Sequence, residues 1–269
     1  MRRHRKTSLL DFVAEMIIML FQALWWLIKT IFPILIKAVI WILWIVLPGA
    51  IFFVWSIWGY SKSEYKQITG KSLLDVYFDK GSRGEYLIYR YLRGQHKDAR
   101  WIFNAYIPRD DGRTTEIDAL MIDTSGVYVF ESKNYSGWIF GSFDRDKWTQ
   151  CIKSDENSKA RKFHFLNPMI QNDIHVKHLK PLLPENVQKF IFPIVVFGNN
   201  CQLKKIDLAQ SSQPVINRFK IKALFKKRIQ KHVIEKQMIQ DIYESLYVYT
   251  QVDETVKSKH IADIERIKQ

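Results

Sequence analysis

The sequence predicts an α/β domain, ordered helix, three or more strands, helix, strand, preceded by an N-terminal transmembrane helix or helical hairpin. Three observations carry that prediction. Residues 115–134 (TEIDALMIDTSGVYVFESKN) alternate as two short strands, 116–123 and 126–132, about a turn at 124–126 where Ser-Gly lets the chain reverse. Residues 189–198 (KFIFPIVVFG) form a near-continuous apolar run that suits a buried strand, parallel pairing included. Residues 38–61 carry no charge, a run of about 24 against the ~20 that a helix needs to cross a bilayer.

At the N-terminus a basic cluster (Arg2, Arg3, Arg5, Lys6) gives way to apolar and aromatic sequence from about residue 16 to residue 60. Trp41, Trp44, Trp55, Trp58 and Tyr60 fall toward the two ends of the uncharged run, as interfacial aromatics do, and Pro48-Gly49 is tolerated in such helices. Residues 16–36 contain Gln22, Lys29 and Pro33, and read either as the first span of a tight hairpin or as an amphipathic segment lying on the membrane. A hairpin leaves both ends in the cytoplasm, consistent with the arginine-rich start and with Lys62 and Lys66 after the second span. The apolar region is too long for a cleaved signal peptide, and no small-residue cleavage site follows it.

Residues 62–79 read as a polar linker. Tyr86, Leu87, Tyr89, Tyr91 and Leu92 then fit a helix over 82–92, with Gly81 before it, Gly94 as its stop and Glu85 in its first turn, where an acid complements the dipole. A first strand follows over 99–108, and a polar turn whose Asp110 and Asp111 read as turn formers. Residues 135–148 look like a further strand pair, with Trp138 and Trp148 as packing residues before base-stacking ones. Basic residues 157–165 read as a loop that could touch a phosphate backbone. A helix over 167–183 starts with Asn167 as N-cap and Pro168 at its first position, and carries Gln171, His175 and His178 on one face. Such a histidine pair could bind metal, but no third ligand is evident.

The hairpin at 115–134 holds charges where a buried strand should have none. Asp118 interrupts Ile117, Ala119, Leu120, Met121 and Ile122, while Glu131 and Lys133 share a face at the end of the next strand. Two carboxylates converging at one sheet end are hard oxygen ligands of the kind Mg²⁺ or Mn²⁺ prefers. A metal so held lowers the pKa of a bound water and stabilises charge on a phosphoryl oxygen, with a neighbouring ammonium in support. The plainer alternative is a solvated Glu131–Lys133 ion pair, with Asp118 as a turn or cap residue.

Asp118, an apolar strand, a turn and then Val127-Tyr128-Val129-Phe130-Glu131-Ser132-Lys133-Asn134 resemble the core of the PD-(D/E)XK nuclease superfamily. More narrowly the sequence resembles the nuclease-related domain, whose Gly-x-x-Gly-Glu start is matched by Gly81-Ser82-Arg83-Gly84-Glu85 and whose Asn-Pro-x-x-Gln is matched by Asn167-Pro168-Met169-Ile170-Gln171. The similarity covers roughly residues 80–199. It implies a restriction-endonuclease-like αβββαβ core, with Glu85, Asp118, Glu131, Lys133 and Gln171 as site residues and Asp118 and Glu131 on the metal.

Lys plus Arg number 41 against 27 Asp plus Glu, a net charge of +14 that favours nucleic acid or an acidic membrane surface as partner. Cys151 and Cys201 form neither a zinc motif nor a disulfide framework, so a reducing compartment is the simplest reading. Past residue 200 the stretch 218–231 gathers Arg218, Lys220, Lys222, Lys226, Lys227, Arg228 and Lys231 without an acid, with Ile221, Leu224, Phe225 and Ile229 at helical spacing. A helix so built can grip nucleic acid or an anionic leaflet, or dock its apolar face on the domain. The expected organisation is a membrane-anchoring region (1–61), a linker (62–79), a nuclease-related domain (80–200) and a basic, mainly helical region (201–269). The expected activity is metal-dependent hydrolysis of phosphodiester bonds, in DNA before RNA, at the cell membrane on its cytoplasmic side. The alternative is a non-catalytic, membrane-tethered nucleic-acid-binding or scaffolding module.

Overall fold

A computed structural model describes residues 9–153, 160–209, 211–228 and 233–268. Arg2, Arg3, Arg5, Lys6, Lys159, Ile229 and Lys231 lie outside the described residues, as do the side chains of Lys227 and Arg228. The chain divides into one unit up to Gly59 and a second from Tyr60 onward.

The first unit is helical. Helix α1 (Leu9–Ser61) runs 53 residues through Pro33 and Pro48 without reversing, so no hairpin forms. A reversal needs turn formers, and Pro33 is flanked instead by Ile31, Phe32, Ile34 and Leu35, so helical bonding resumes beyond it. At 1.5 Å per residue the helix spans about 80 Å, and it is long and apolar enough to cross a membrane.

The second unit begins with α2 (Glu64–Thr69), α3 (Leu73–Phe78) and α4 (Lys80–Leu92). The first two occupy the expected linker. Ser63 caps α2, Ser72 and Asp75 form a capping box on α3, and Tyr65 is fully buried between α4 and the sheet. Helices of six residues are too short to show a period, which is why they read as linker.

The strands are β1 (Arg100–Pro108), β2 (Thr114–Asp123), β3 (Gly126–Lys133), β4 (Gly137–Ser142), β5 (Lys147–Ile152), β6 (Arg161–Leu166), β7 (Ile191–Phe197), β8 (Cys201–Asp207) and β9 (Val215–Asn217). Helix α5 (Pro168–Leu179) separates β6 from β7, and α6 (Ile221–Arg228), α7 (Lys236–Tyr247) and α8 (Glu254–Lys268) follow β9. The result is a mixed α/β unit with two mixed sheets, ordered β1-β2-β3-β7-β9 and β6-β5-β4-β8. In the first, β1 to β3 are an antiparallel meander and β7 joins β3 in parallel. Residues 161–165, expected in a loop, are strand: β6 pairs with β5 at the sheet edge, where Arg161 to His164 stay exposed.

Strand β3 is central because it is apolar on both faces. Tyr128 and Phe130 pack with Ile194 and Val196 against Ile88 and Leu92 of α4 and against Ile221 and Phe225 of α6. On the other face, Val127 and Val129 pack with Leu179 of α5 and Ile239, Ile242 and Leu246 of α7. Full burial of Ile221 and Phe225 is worth about 1.5–3 kcal/mol each, so the basic helix docks its apolar face on the domain. Trp148 is likewise buried, stacked on Phe197, whereas Trp138 is exposed.

Candidate functional site

The β2–β3 ladder runs from Asp123–Gly126 to Ala119–Phe130 and stops one step short of Asp118 and Glu131. At this point the strand alternation breaks. Ile117 and Ala119, two residues apart, pack into clusters on opposite faces of the sheet. On β1, Phe103 and Ala105 do the same on either side of Asn104, whose φ is +51°. Asp118 sits at the break, and its Oδ2 accepts the Ser132 N–H at 2.7 Å in place of a ladder bond.

Asp118, Glu131, Lys133 and Gln171 line one cleft of about 880 Å³. Its walls also include Arg109 and Arg113 from the β1–β2 turn, Lys147 from β5, His175 from α5, and His260 and Asp263 from α8. Asn167 sets α5 against this cleft. Its Oδ1 accepts the Met169 N–H at 2.9 Å as a helix cap, while its Nδ2 donates to the Ser142, Phe143 and Arg145 carbonyls.

Glu131 is 2 % exposed and fully engaged. Its Oε1 lies 2.5 Å from Lys133 Nζ, and its Oε2 accepts from His175 Nε2 at 3.0 Å. The second nitrogen of that imidazole lies 2.6 Å from Thr115 Oγ1. Burial alone would raise the Glu131 carboxyl, but Lys133 and His175 outweigh it and bring it down to about 2. Burial also works against the Lys133 charge, and Glu131 and Asp118 overcome it, holding the ammonium above the usual lysine range. Lys133 is therefore a fixed cation and no proton acceptor. Asp118 goes the other way: burial first, then the Glu131 charge, raise it well above the ordinary carboxylate value despite Lys133.

Glu85 stands apart from the cleft lining. Buried on α4, it accepts from the Tyr65 hydroxyl at 3.0 Å and lies 4.0 Å from Lys71 Nζ. Burial raises it, and its charge still reaches Asp118. Lys71 also donates to Asn104 Oδ1 at 3.3 Å, tying Glu85 to the break in the sheet. Lys220, Lys222 and Lys226, on and before α6, are exposed and do not line the cleft.

Among the described residues no group of three or more His, Cys, Asp or Glu is arranged to hold a metal. His175 and His178 do not pair: His175 is committed to Glu131, and His178 faces Asp110 at 3.9 Å. Thr115, Lys71, Tyr65 and His260 carried no signal of their own in the sequence. His175 carried one, the helical spacing that puts it one turn from Gln171.

Residues 80–198 match the family model described as nuclease-related domain. The chain is 27 % identical over 183 residues to an uncharacterized protein of Bacillus anthracis, an alignment covering 68 % of this chain and 82 % of that one. No solved structure matches it.

Proposed function

We propose that this chain, whose residues 80–198 belong to the nuclease-related domain family, is a membrane-anchored, metal-dependent nuclease that hydrolyses phosphodiester bonds, in DNA before RNA. The observation that carries this reading is the meeting of Asp118, Glu131 and Lys133 in one cleft, with Glu131 buried and Asp118 half-buried. The order α4, β1, β2, β3, α5, β7 supports a restriction-endonuclease-like core around them.

Asp118 and Glu131 would hold Mg²⁺ or Mn²⁺. The donor set fits: both are hard oxygen ligands, and the burial and the Glu131 charge that raise Asp118 are influences a bound divalent cation would oppose. A divalent ion there supplies a water of lowered pKa and stabilises the phosphoryl oxygens. Lys133, fixed as an ammonium, neutralises charge developing on the scissile phosphate and orients the nucleophile. Glu85 acts from behind the sheet on Asp118, and Gln171 orients groups from the α5 wall. Arg109, Arg113 and Lys147 make the rim attractive to a polyanion. Helix α1 anchors the chain; because it runs on as one helix, basic residues stand at both ends of its apolar run and their charge selects neither side of the membrane.

One observation favours the non-catalytic reading. Both Glu131 oxygens are already engaged, by Lys133 and by His175. Full-length protein in detergent, incubated with DNA and RNA in Mg²⁺, Mn²⁺ or chelator beside Lys133→Ala, separates the two. Metal-dependent products absent from the variant support a nuclease. Intact substrate with binding retained in chelator supports the tethered binding module.

A further inference from the structure

Arg218 follows β9 and opens the single 3₁₀ turn, Arg218–Lys220, that leads into α6. The residue is 8 % exposed, and its Nε is shielded from solvent with no hydrogen-bond partner. Among the described residues no carboxylate forms an ion pair with it, and the charge of Arg83, on α4, acts on it as a second cation. Burial pulls the guanidinium below its ordinary range, with Tyr91 opposing the effect and Arg83 adding to it. A desolvated cation without a counter-charge is costly, and it is costlier beside a second cation.

Packing brings together the segments that carry these two arginines. A Cβ on Gly84 would strike the Ser132 hydroxyl and touch Asn134, so α4 presses directly on the end of β3. Asn134 Nδ2 donates to the Lys80 carbonyl at 3.1 Å, and Asn134 leaves no room for a Cβ on Gly198. The Gly198 carbonyl accepts from Asn217 Nδ2 at 3.0 Å, one residue before Arg218. Arg83 and Arg218 thus flank a seam where β3, β7 and β9 all end. The seam starts one residue beyond Lys133, whose carbonyl accepts the Gly198 N–H at 2.9 Å.

We propose that Arg218 and Arg83 form a binding site for a backbone phosphate of nucleic acid, holding the strand against the end of β3 that carries Glu131 and Lys133. A guanidinium fork matches a phosphate's paired oxygens, and the arriving anion supplies the counter-charge that the protein withholds. Phe219, 58 % exposed beside Arg218, offers a face on which a base can stack. A polymer suits the place better than a lipid headgroup, because its phosphates repeat and the cleft that holds Lys133 lies at the same strand end. The assignment of this anion to a substrate strand rests on the nuclease reading; the binding itself does not.

The test is equilibrium binding of full-length protein in detergent to labelled DNA of random sequence, in chelator and across a salt series. Arg218→Gln and Arg83→Gln should each weaken binding about tenfold and flatten the salt dependence by about one phosphate contact. Arg218→Lys should recover part of the loss, since it returns the charge without the fork. Unchanged affinity and unchanged salt slope in folded variants would overturn the site. So would loss of binding to phosphatidylglycerol vesicles with DNA binding intact, which would assign the anion to lipid. Arg83 is exposed, so Arg83→Gln carries the test even where Arg218→Gln does not fold. Because no turnover is measured, an inactive protein that binds DNA through these arginines sinks the nuclease and leaves the phosphate site standing.

Discussion

His175 Nε2 donates to Glu131 Oε2 at 3.0 Å across 44 residues of chain, with both side chains shut away from solvent. An ionised carboxylate only accepts, so the Nε2 atom bears the proton, while Nδ1 lies 2.6 Å from the Thr115 hydroxyl. The imidazole thereby fixes the rotation of the Glu131 carboxylate. Replacing His175 with Ala strands a buried carboxylate oxygen and should cost about 1–3 kcal/mol in denaturant unfolding. It should also weaken Mn²⁺ binding about tenfold by calorimetry, as loss of an orienting partner does, with His175→Gln falling between. Equal Mn²⁺ affinity in wild type and His175→Ala would remove the orienting role.

The Glu131–Lys133 pair is a stability element as well as a chemical one. Lys133→Met removes one partner of a buried pair and should destabilise the domain by about 3–5 kcal/mol. Glu131 lies near 2 in the fold against an ordinary 4.5, so its contribution is complete above pH 4.5 and drains away as pH falls toward 2. The stability gap between wild type and Glu131→Gln should therefore be widest at neutral pH and shrink at pH 3. Urea unfolding at the two pH values reads it directly.

What was legible in the sequence was what local chemistry dictates. The β2–β3 hairpin follows from alternation and a Ser-Gly turn, the start of α5 from Asn167-Pro168, and the shared face of Glu131 and Lys133 from a period of two. Three features escaped for want of a local signal: the six-residue helices α2 and α3, the exposed edge strand β6, and the continuity of α1 through two prolines. The site divides in the same way. Asp118, Glu131 and Lys133 come from one hairpin, whereas His175, Lys71 and His260 reach their partners through tertiary packing that no spacing encodes.

Asn167 should matter more to stability than its place in a loop suggests. One side chain caps α5 and donates to three carbonyls of the 142–145 turn, joining the helix that carries Gln171 and His175 to the second sheet. Asn167→Ala forfeits the cap, worth about 1 kcal/mol, and leaves carbonyls short of a donor at about 1 kcal/mol or more. Asn167→Asp keeps the cap and loses the donor, so its loss should be smaller than that of alanine. Thermal unfolding of the pair separates the two roles.

Glu85 presents the opposite pH signature to Glu131. Burial raises its carboxyl, and the opposing influences of Lys71, the Tyr65 hydroxyl and Asn104 do not cancel that effect. A raised acid binds its proton more tightly in the fold than in the unfolded chain. Its stabilisation is therefore full below the ordinary value of 4.5 and is lost as pH climbs through the raised one. Glu85→Gln cannot ionise and keeps an acceptor for Tyr65, so it should gain on wild type as pH rises from 4 to 8. A gap that stays constant over that range would mean that Glu85 ionises as freely in the fold as outside it, which its 5 % exposure argues against.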